Sequence, residues 1–315
     1  MNHGLVLLDT LGIMTLTVLV PDDEGLTVLA EVPRVLPVRH QWGEPVPPEA
    51  AKAEVLIPGK HPPGDDLWRA LPNLKLIQLL SAGAEDWVGR VPDGVLLSTC
   101  RGAHGGSSAE WVVAALLSMY RKLDVFGTAQ REGRWERQST DTLQGKRVLV
   151  IGAGDLGQHL RRRLEPFDAR CTMVGMTARE GVHGVRELPS LLGMHDVVVL
   201  MVPLTSRTRG MVDAEFLAEM RDGAVLVNVA RGAVVDTDAL VAELTTGRLR
   251  AALDVTDPEP PPPGHPLWTA PGLLLTPHVG GAVRGVRGRS YAVAAAEIAR
   301  YAGGELPDNL VHGEY

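Results

Sequence analysis

Arg147-Val-Leu-Val-Ile-Gly-Ala-Gly-Asp-Leu-Gly157 is the stretch whose reading decides the fold. Val148 to Ile151 is an unbroken apolar run, short enough for a strand buried on both faces. Gly152, Gly154 and Gly157 follow it at G-x-G-x-x-G spacing, and a helix-like segment (Gln158, Leu160, Leu164) comes next. The first glycine permits a tight turn, and the second lets a pyrophosphate approach the backbone. The third lets the helix pack closely on the strand, with its N-terminal amides facing the anion. A plain glycine-rich turn has the same spacing. It is the strand before and the helix after that favour a nucleotide site.

Working outward, apolar strands alternate with helical segments on both sides of this motif. Before it, Leu16–Val20, Val55–Ile57, Leu74–Leu80 and Val95–Ser98 read as strands, and Asp66–Leu71 as a helical turn. Ser107 to Leu123 reads as a long helix capped by Ser107 or Ser108, with Glu110 in its first turn. Trp111, Ala114, Ala115, Ser118 and Met119 share one face of it. After the motif, Cys171–Val174, Val197–Val202, Ala224–Val229, Ala251–Val255 and Leu273–Thr276 read as strands. Helices fit between them, for example at Asp213–Met220 and Asp238–Thr245. This order predicts a doubly wound parallel sheet. A last helix, about Ser290 to Tyr301, has no place on a sheet already complete, so the chain is expected to return to the first domain.

Length and composition agree. A chain of 315 residues exceeds what one core usually supports, so two domains are expected. Hydrophobic content of 45% argues against extensive disorder. A net charge of −7 without a dominant basic cluster makes nucleic acid a poor partner. Cys100 and Cys171 are the only cysteines, so neither a disulfide framework nor a metal site is indicated, and a cytoplasmic location fits. Residues 1–20 are apolar but lack a basic n-region, and Asp9 interrupts them, so neither a signal peptide nor a membrane span is expected. Met14 offers an alternative start, because Thr15 onward reads directly as a first strand.

Chemistry-bearing residues cluster at strand ends, where open α/β sheets bind ligands. Asn228-Val-Ala-Arg231-Gly232 ends one strand, and Asp254 closes the next, with Glu259 five residues on. Thr276-Pro-His278-Val-Gly-Gly281 follows the last strand, and Val202-Pro-Leu-Thr205 follows an earlier one. An arginine, a carboxylate and a histidine at one sheet edge make an acid–base set for a small anionic substrate. Each alone has a structural reading; together, beside a dinucleotide motif, they point to catalysis. The segment Pro258–Pro266 reads as a stiff loop holding Glu259 rather than as a polyproline ligand.

These stretches, with Ser81-Ala-Gly-Ala-Glu85 and His104 to Glu110, resemble the D-isomer-specific 2-hydroxyacid dehydrogenase family, over roughly Leu74 to Val283. The resemblance implies an α/β fold of two Rossmann-like domains with parallel sheets. The cofactor domain (103–283) is inserted into a discontinuous substrate domain (1–102 and 284–315). It implies that Arg231 holds the substrate carboxylate and carbonyl, that Glu259 supports a catalytic His278, and that Ala82 and Gly83 offer amides to the carboxylate. Cofactor contacts are implied at Gly152, Gly154, Asp155, Leu156 and Gly157, at Val202, Pro203 and Thr208, and at Ala230, Asp254 and Gly280. Hydride leaves the nicotinamide for the carbonyl carbon while His278 donates a proton to the carbonyl oxygen, and Glu259 favours the imidazolium. Substrate is expected between the domains, whose closure gates turnover, and a homodimer is expected.

Four features narrow the expectation. An NAD-preferring domain carries an acid at the end of its second strand, yet that position is Gly175, with Thr177 and Arg179 able to accommodate a 2′-phosphate. NADP(H) is therefore expected over NAD(H). Glutamate at 259 separates the chain from formate dehydrogenases, and the Ser81 loop lacks the lysine of phosphite dehydrogenases. The end at Tyr315 separates it from long phosphoglycerate dehydrogenases with their regulatory domain. The expectation is a glyoxylate- or hydroxypyruvate-type reductase acting on a small 2-oxo acid or D-2-hydroxy acid. The alternative is a nucleotide-sensing corepressor of the same fold.

Overall fold

Each strand of the structure runs parallel to its sheet neighbours. The computed structural model describes residues 15–40, 43–44, 46–59 and 64–313, so the expectation about Met14 and the segment before it lies outside the described residues. The chain divides into two compact units, residues 1–103 with 284–315, and residues 104–283.

The first unit runs β1 (Leu16–Val20), α1 (Asp23–Ala30), β2 (Val35–Arg39), β3 (Val55–Leu56), α2 (Asp65–Ala70), β4 (Leu76–Gln78) and β5 (Leu96–Ser98). Its sheet order is β2-β1-β3-β4-β5. Every residue of β1 is buried, as a parallel strand covered on both faces must be. Strand β2 escapes the sequence pattern because Pro37 and Arg39 break its apolar run. It is an edge strand, where a missing N–H is tolerated. Asp22 caps α1 by accepting from the Gly25 amide at 2.9 Å.

The second unit opens with α3 (Gly105–Tyr120) and α4 (Leu123–Arg131), followed by β6 (Arg147–Ile151), α5 (Asp155–Leu164), β7 (Arg170–Gly175) and β8 (His183–Gly184). It continues through α6 (Leu188–Leu192), β9 (Val197–Leu200), α7 (Ala214–Glu219), β10 (Val225–Asn228), α8 (Thr237–Thr246), β11 (Arg250–Leu253) and β12 (Leu273–Leu275). The sheet order is β12-β11-β10-β9-β6-β7-β8. The period-two alternation of side chains divides its core into two layers. Leu149, Ile151, Val198, Leu200 and Leu226 pack with α6, α7 and α8 on one face. Val148, Val150, Val197, Val199 and Val227 pack with α3 and α5 on the other.

The long helix differs from its expected form. It starts at Gly105 with His104 at the N-cap and no side-chain cap, and Ser107 Oγ instead donates to the His104 carbonyl at 3.0 Å. It ends at Tyr120, because Lys122 adopts a left-handed conformation (φ 51°) and a separate helix begins. Its buried residues include Ala109, Val112, Leu116 and Tyr120; of the expected face Ala115 is buried, Trp111, Ser118 and Met119 are half-buried, and Ala114 is exposed. A 3.6-residue period describes either face; packing against α5 selects the first.

The closing helix α9 (Val286–Ala302) belongs to the first unit. Tyr291, Ala294 and Ile298 share a cluster with Val18, Val20 and Leu29. The tail after it runs antiparallel beside β5, with the Val311 amide donating to Leu97 at 2.8 Å, and buried Glu297 accepts from the amide of Asp308 at 2.7 Å. The second unit is thus inserted into the first. Among the described residues no helix is long and apolar enough to cross a membrane.

Candidate active site

In the second unit the strand order reverses between β6 and β9, the position at which doubly wound sheets open a crevice. The glycine turn sits there. Gly152 has φ +117°, and a Cβ on it would lie 2.2 Å from the Met201 carbonyl oxygen beyond β9. A Cβ on Gly157 would lie 2.1 Å from the Gly152 carbonyl oxygen, so helix and turn are in backbone contact. Gly154 has nothing within 4 Å of the corresponding point. Two glycines are required by the protein itself, and the third leaves open space at the start of α5, where a pyrophosphate is expected. The turn fits a dinucleotide.

Two residues of the motif turn inward. Leu156 packs half-buried in the core layer under α3. The Asp155 carboxylate is directed at the start of α3, with Oδ2 2.2 Å from where a Gly105 Cβ would stand, and Oδ1 lies 3.5 Å from His159 Nε2. The N-terminal end of α3, which has no side-chain cap, is a favourable place for that charge. At the end of β7, Gly175 faces Arg179, whose Nη1 lies 3.1 Å from a Cβ built there and whose Nη2 donates to Ala153 of the glycine turn at 3.1 Å. Glu180 does not occupy the strand end. Paired backbone bonds between Arg179 and Val182 put it at the tip of a tight turn. Thr177 is exposed beside the strand end.

Past β9, Val202 is half-buried and Pro203 exposed. Thr208 is buried; its hydroxyl donates to Pro203 at 2.6 Å and accepts the Thr205 amide at 2.8 Å. Its side chain shapes the loop. Past β10, Asn228 is fully buried, accepts the Ala230 amide at 3.0 Å and donates to the Arg231 carbonyl at 2.9 Å. Arg231 is half-buried, with Nη1 donating to Ala230 at 2.7 Å. A Cβ on Gly232 would meet the Thr256 carbonyl at 1.9 Å, so the chain after Arg231 runs hard against the segment leading to Glu259. Asn228 was visible as a polar residue ending a buried strand, but its part in holding Arg231 was not.

Asp254 organises the remaining residues. It is 4% exposed, and both carboxylate oxygens are used by the protein. Oδ1 accepts from the Thr276 hydroxyl at 2.6 Å and the Val279 amide at 2.8 Å, and Oδ2 accepts from the Gly280 amide at 2.8 Å. The His278 amide donates to the Asp254 carbonyl at 2.8 Å. The carboxylate clamps the loop that carries His278. Gly280 is buried against it. Held in that loop at φ 54°, His278 places Nδ1 2.8 Å from Glu259 Oε1, with both side chains partly exposed. The segment presenting Glu259 is tied by Thr256 Oγ1 to Pro258 at 2.9 Å and by Trp268 Nε1 to Pro262 at 2.9 Å. In the first unit, Ala82 and Gly83 lie in the loop after β4, whose Ser81 hydroxyl donates to Gly83 at 2.7 Å.

A doubly wound parallel sheet with a dinucleotide turn at its switch point and a carboxylate-paired histidine past its last strand defines a dinucleotide-dependent oxidoreductase. Residues 113–280 match the D-isomer specific 2-hydroxyacid dehydrogenase, NAD binding domain. The chain belongs to the D-isomer specific 2-hydroxyacid dehydrogenase family. It is 33% identical to a glyoxylate reductase of Thermofilum pendens over 78% of this chain and 77% of that one. It is also 33% identical to a glyoxylate reductase/hydroxypyruvate reductase of Homo sapiens, over 76% and 77%. A solved D-isomer specific 2-hydroxyacid dehydrogenase from Xanthobacter autotrophicus Py2, in complex with NADPH and MES, superposes with a TM-score of 0.80 at 32% identity. That match covers 95% of this chain and 98% of that one. Nothing in these relatives supports the corepressor alternative.

The clamp at Asp254 is testable. Asp254→Asn keeps the shape but must aim an N–H₂ at a donor that the carboxylate had satisfied. Losing charge-assisted bonds of this kind costs on the order of 1.5–3 kcal/mol, so the denaturant midpoint should fall. An unchanged midpoint would show that the carboxylate does not hold the loop.

Proposed function

We propose that this protein reduces a small 2-oxo acid of the glyoxylate or hydroxypyruvate type with NADPH, and oxidises the corresponding D-2-hydroxy acid in reverse. The observation that carries this reading is the 2.8 Å pairing of His278 with Glu259. With Nδ1 committed to the carboxylate, Nε2 is the nitrogen left to exchange a proton with substrate. The second unit holds the cofactor through Gly152, Gly154, the α5 N-terminus and the loops carrying Val202, Pro203 and Ala230. The amides of Ala82 and Gly83 are the donors we assign to the substrate carboxylate. When bound, the nicotinamide supplies or accepts the hydride. Arg231 orients the 2-oxo acid through the paired donors of its guanidinium. His278 gives a proton to the carbonyl oxygen in reduction and takes it back in oxidation. Relatives named as glyoxylate reductases support the substrate class. The free cysteines fit a reducing compartment, the cytoplasm.

NADP(H) is favoured by charge at the end of β7. Gly175 brings no carboxylate to a ribose hydroxyl, and Arg179 stands over it. The Xanthobacter relative was solved with NADPH. A panel of 2-oxo acids with each cofactor, followed by loss of reduced-nicotinamide absorbance, should give a higher kcat/KM with NADPH. Gly175→Asp should pair with Arg179 and move the ratio toward NADH. A wild-type preference for NADH would refute the assignment.

Arg231→Lys keeps the charge and loses the fork, so kcat/KM for the 2-oxo acid should drop by about a hundredfold while NADPH still binds. Reduction consumes the imidazolium proton, so its rate should decline as pH rises, and oxidation should show the opposite trend. His278→Gln should remove that opposition along with most of the activity. If the pH profiles of both directions survived in His278→Gln, another group would be the acid.

We further propose a homodimer. The segment after α4 has no regular structure, and its Trp135 is 99% exposed. It borders an open groove of about 780 Å³ lined by Phe126, Ala129, Gln130 and residues 133–138. Leu123 and Val125 on α4 are exposed as well. An isolated chain gains nothing from an outstretched indole; a second copy would cover it. Light scattering should give twice the chain mass at micromolar concentration, and Trp135→Glu should shift it toward the monomer. A wild-type monomer would rule the dimer out.

A further inference from the structure

Two arginines reach the end of β7 from different loops. Arg179 comes from the segment that follows β7, as described above. Arg207 comes from the loop after β9, and its Nη1 lies 3.9 Å from the sulfur of Met176, the residue next to Gly175. Met176 is 57% exposed, so the guanidinium rests on the outer side of the strand end. The loop that presents it is stiff: three hydrogen bonds through Thr208 join Pro203, Thr205 and Thr208 around it. A thioether is a weak acceptor, which leaves the donors of Arg207 available. Among the described residues no carboxylate pairs with Arg207 or with Arg179. Two cations that reach one strand end, neither paired with a carboxylate among the described residues, are complementary to an anion brought by a ligand.

We propose that Arg207 is the second arm of a two-arginine clamp on the adenosine 2′-phosphate, acting with Arg179. The proposal rests on the NADP(H) reading above. A phosphate has three acceptor oxygens and carries close to two charges at neutral pH. Arg179 spends one donor on Ala153, and three phosphate oxygens leave room for a second guanidinium beside it. The second comes from a loop fixed at the switch point, which ties phosphate recognition to the same turn that touches Gly152. Arg207 thereby determines specificity without meeting the reacting atoms.

The test separates this residue from the reading beneath it. Calorimetry would compare 2′,5′-ADP with 5′-ADP on the wild type and on Arg207→Ala, Arg207→Lys and Arg179→Ala. Arg207→Ala should weaken 2′,5′-ADP by about tenfold, the loss of one charged hydrogen bond, and leave 5′-ADP within about twofold. Arg207→Lys should retain part of the 2′,5′-ADP affinity. If Arg179→Ala loses 2′,5′-ADP while Arg207→Ala does not, the clamp is wrong and the NADP(H) reading stands. Equal losses for both nucleotides in Arg207→Ala would also overturn it, marking the residue as part of the loop's framework. A wild type that does not distinguish the two nucleotides would sink the NADP(H) reading and the clamp together.

Discussion

The backbone contact between Gly152 and Met201 is the constraint on which the second unit depends. Strands β6 and β9 lie side by side with parallel register from Val148–Val197 to Ile151–Leu200. Their continuations leave the sheet in opposite directions around that contact. A side chain on Gly152 would push the two loops apart, and the crevice between them would lose its floor. Because all seven strands run parallel, every loop that bears chemistry leaves from the same edge. The glycine turn, the Thr205–Thr208 loop, Arg231, Glu259 and His278 are thus gathered without any one element being specialised for the purpose.

At that edge, a buried charge positions an exposed one. Asp254 accepts from three donors of the loop it clamps, and that loop carries the residue best suited to proton transfer. His278 sits in a left-handed conformation that a histidine tolerates at a cost of order 1 kcal/mol. The hydrogen bonds to Thr276, Val279 and Gly280 hold the backbone on either side of it, and they offset that cost. Glu259 approaches from a different loop, so the acid–base pair is assembled across the gap between β11 and β12 rather than within one segment. Rigid surroundings suit a proton donor, whose partner must be met at hydrogen-bond distance.

The end of β7 shows the same economy in electrostatics. A glycine replaces an acid, and Arg179 fills the space that a carboxylate would have occupied, bonding back to the glycine turn. Asp155, whose charge stands next to the turn, is directed to the start of α3 and not into the crevice. A carboxylate that would repel a pyrophosphate serves instead at a helix N-terminus.

Much of this was legible in the residues themselves. The fully buried strands were apolar runs, and the glycine spacing required a strand–turn–helix in that order. The N-x-A-R-G and T-P-H stretches marked strand ends. Strand β2 was hidden by Pro37, the start of α3 by a Gly105–Gly106 pair that carries no cap signal, and β8 by being two residues long. Sequence determined most of the strands and helices, and which side chains have the chemistry for hydride transfer to a 2-oxo acid, because periodicity and residue type are local properties. Tertiary structure alone decided that Asp254 bonds Thr276 and the amides beyond it, that Thr208 is spent inside its loop, and that Arg207 stands beside Met176. Those pairings join residues 3 to 31 positions apart. They follow from strand order and side-chain direction, and neither is written in any single stretch of the chain.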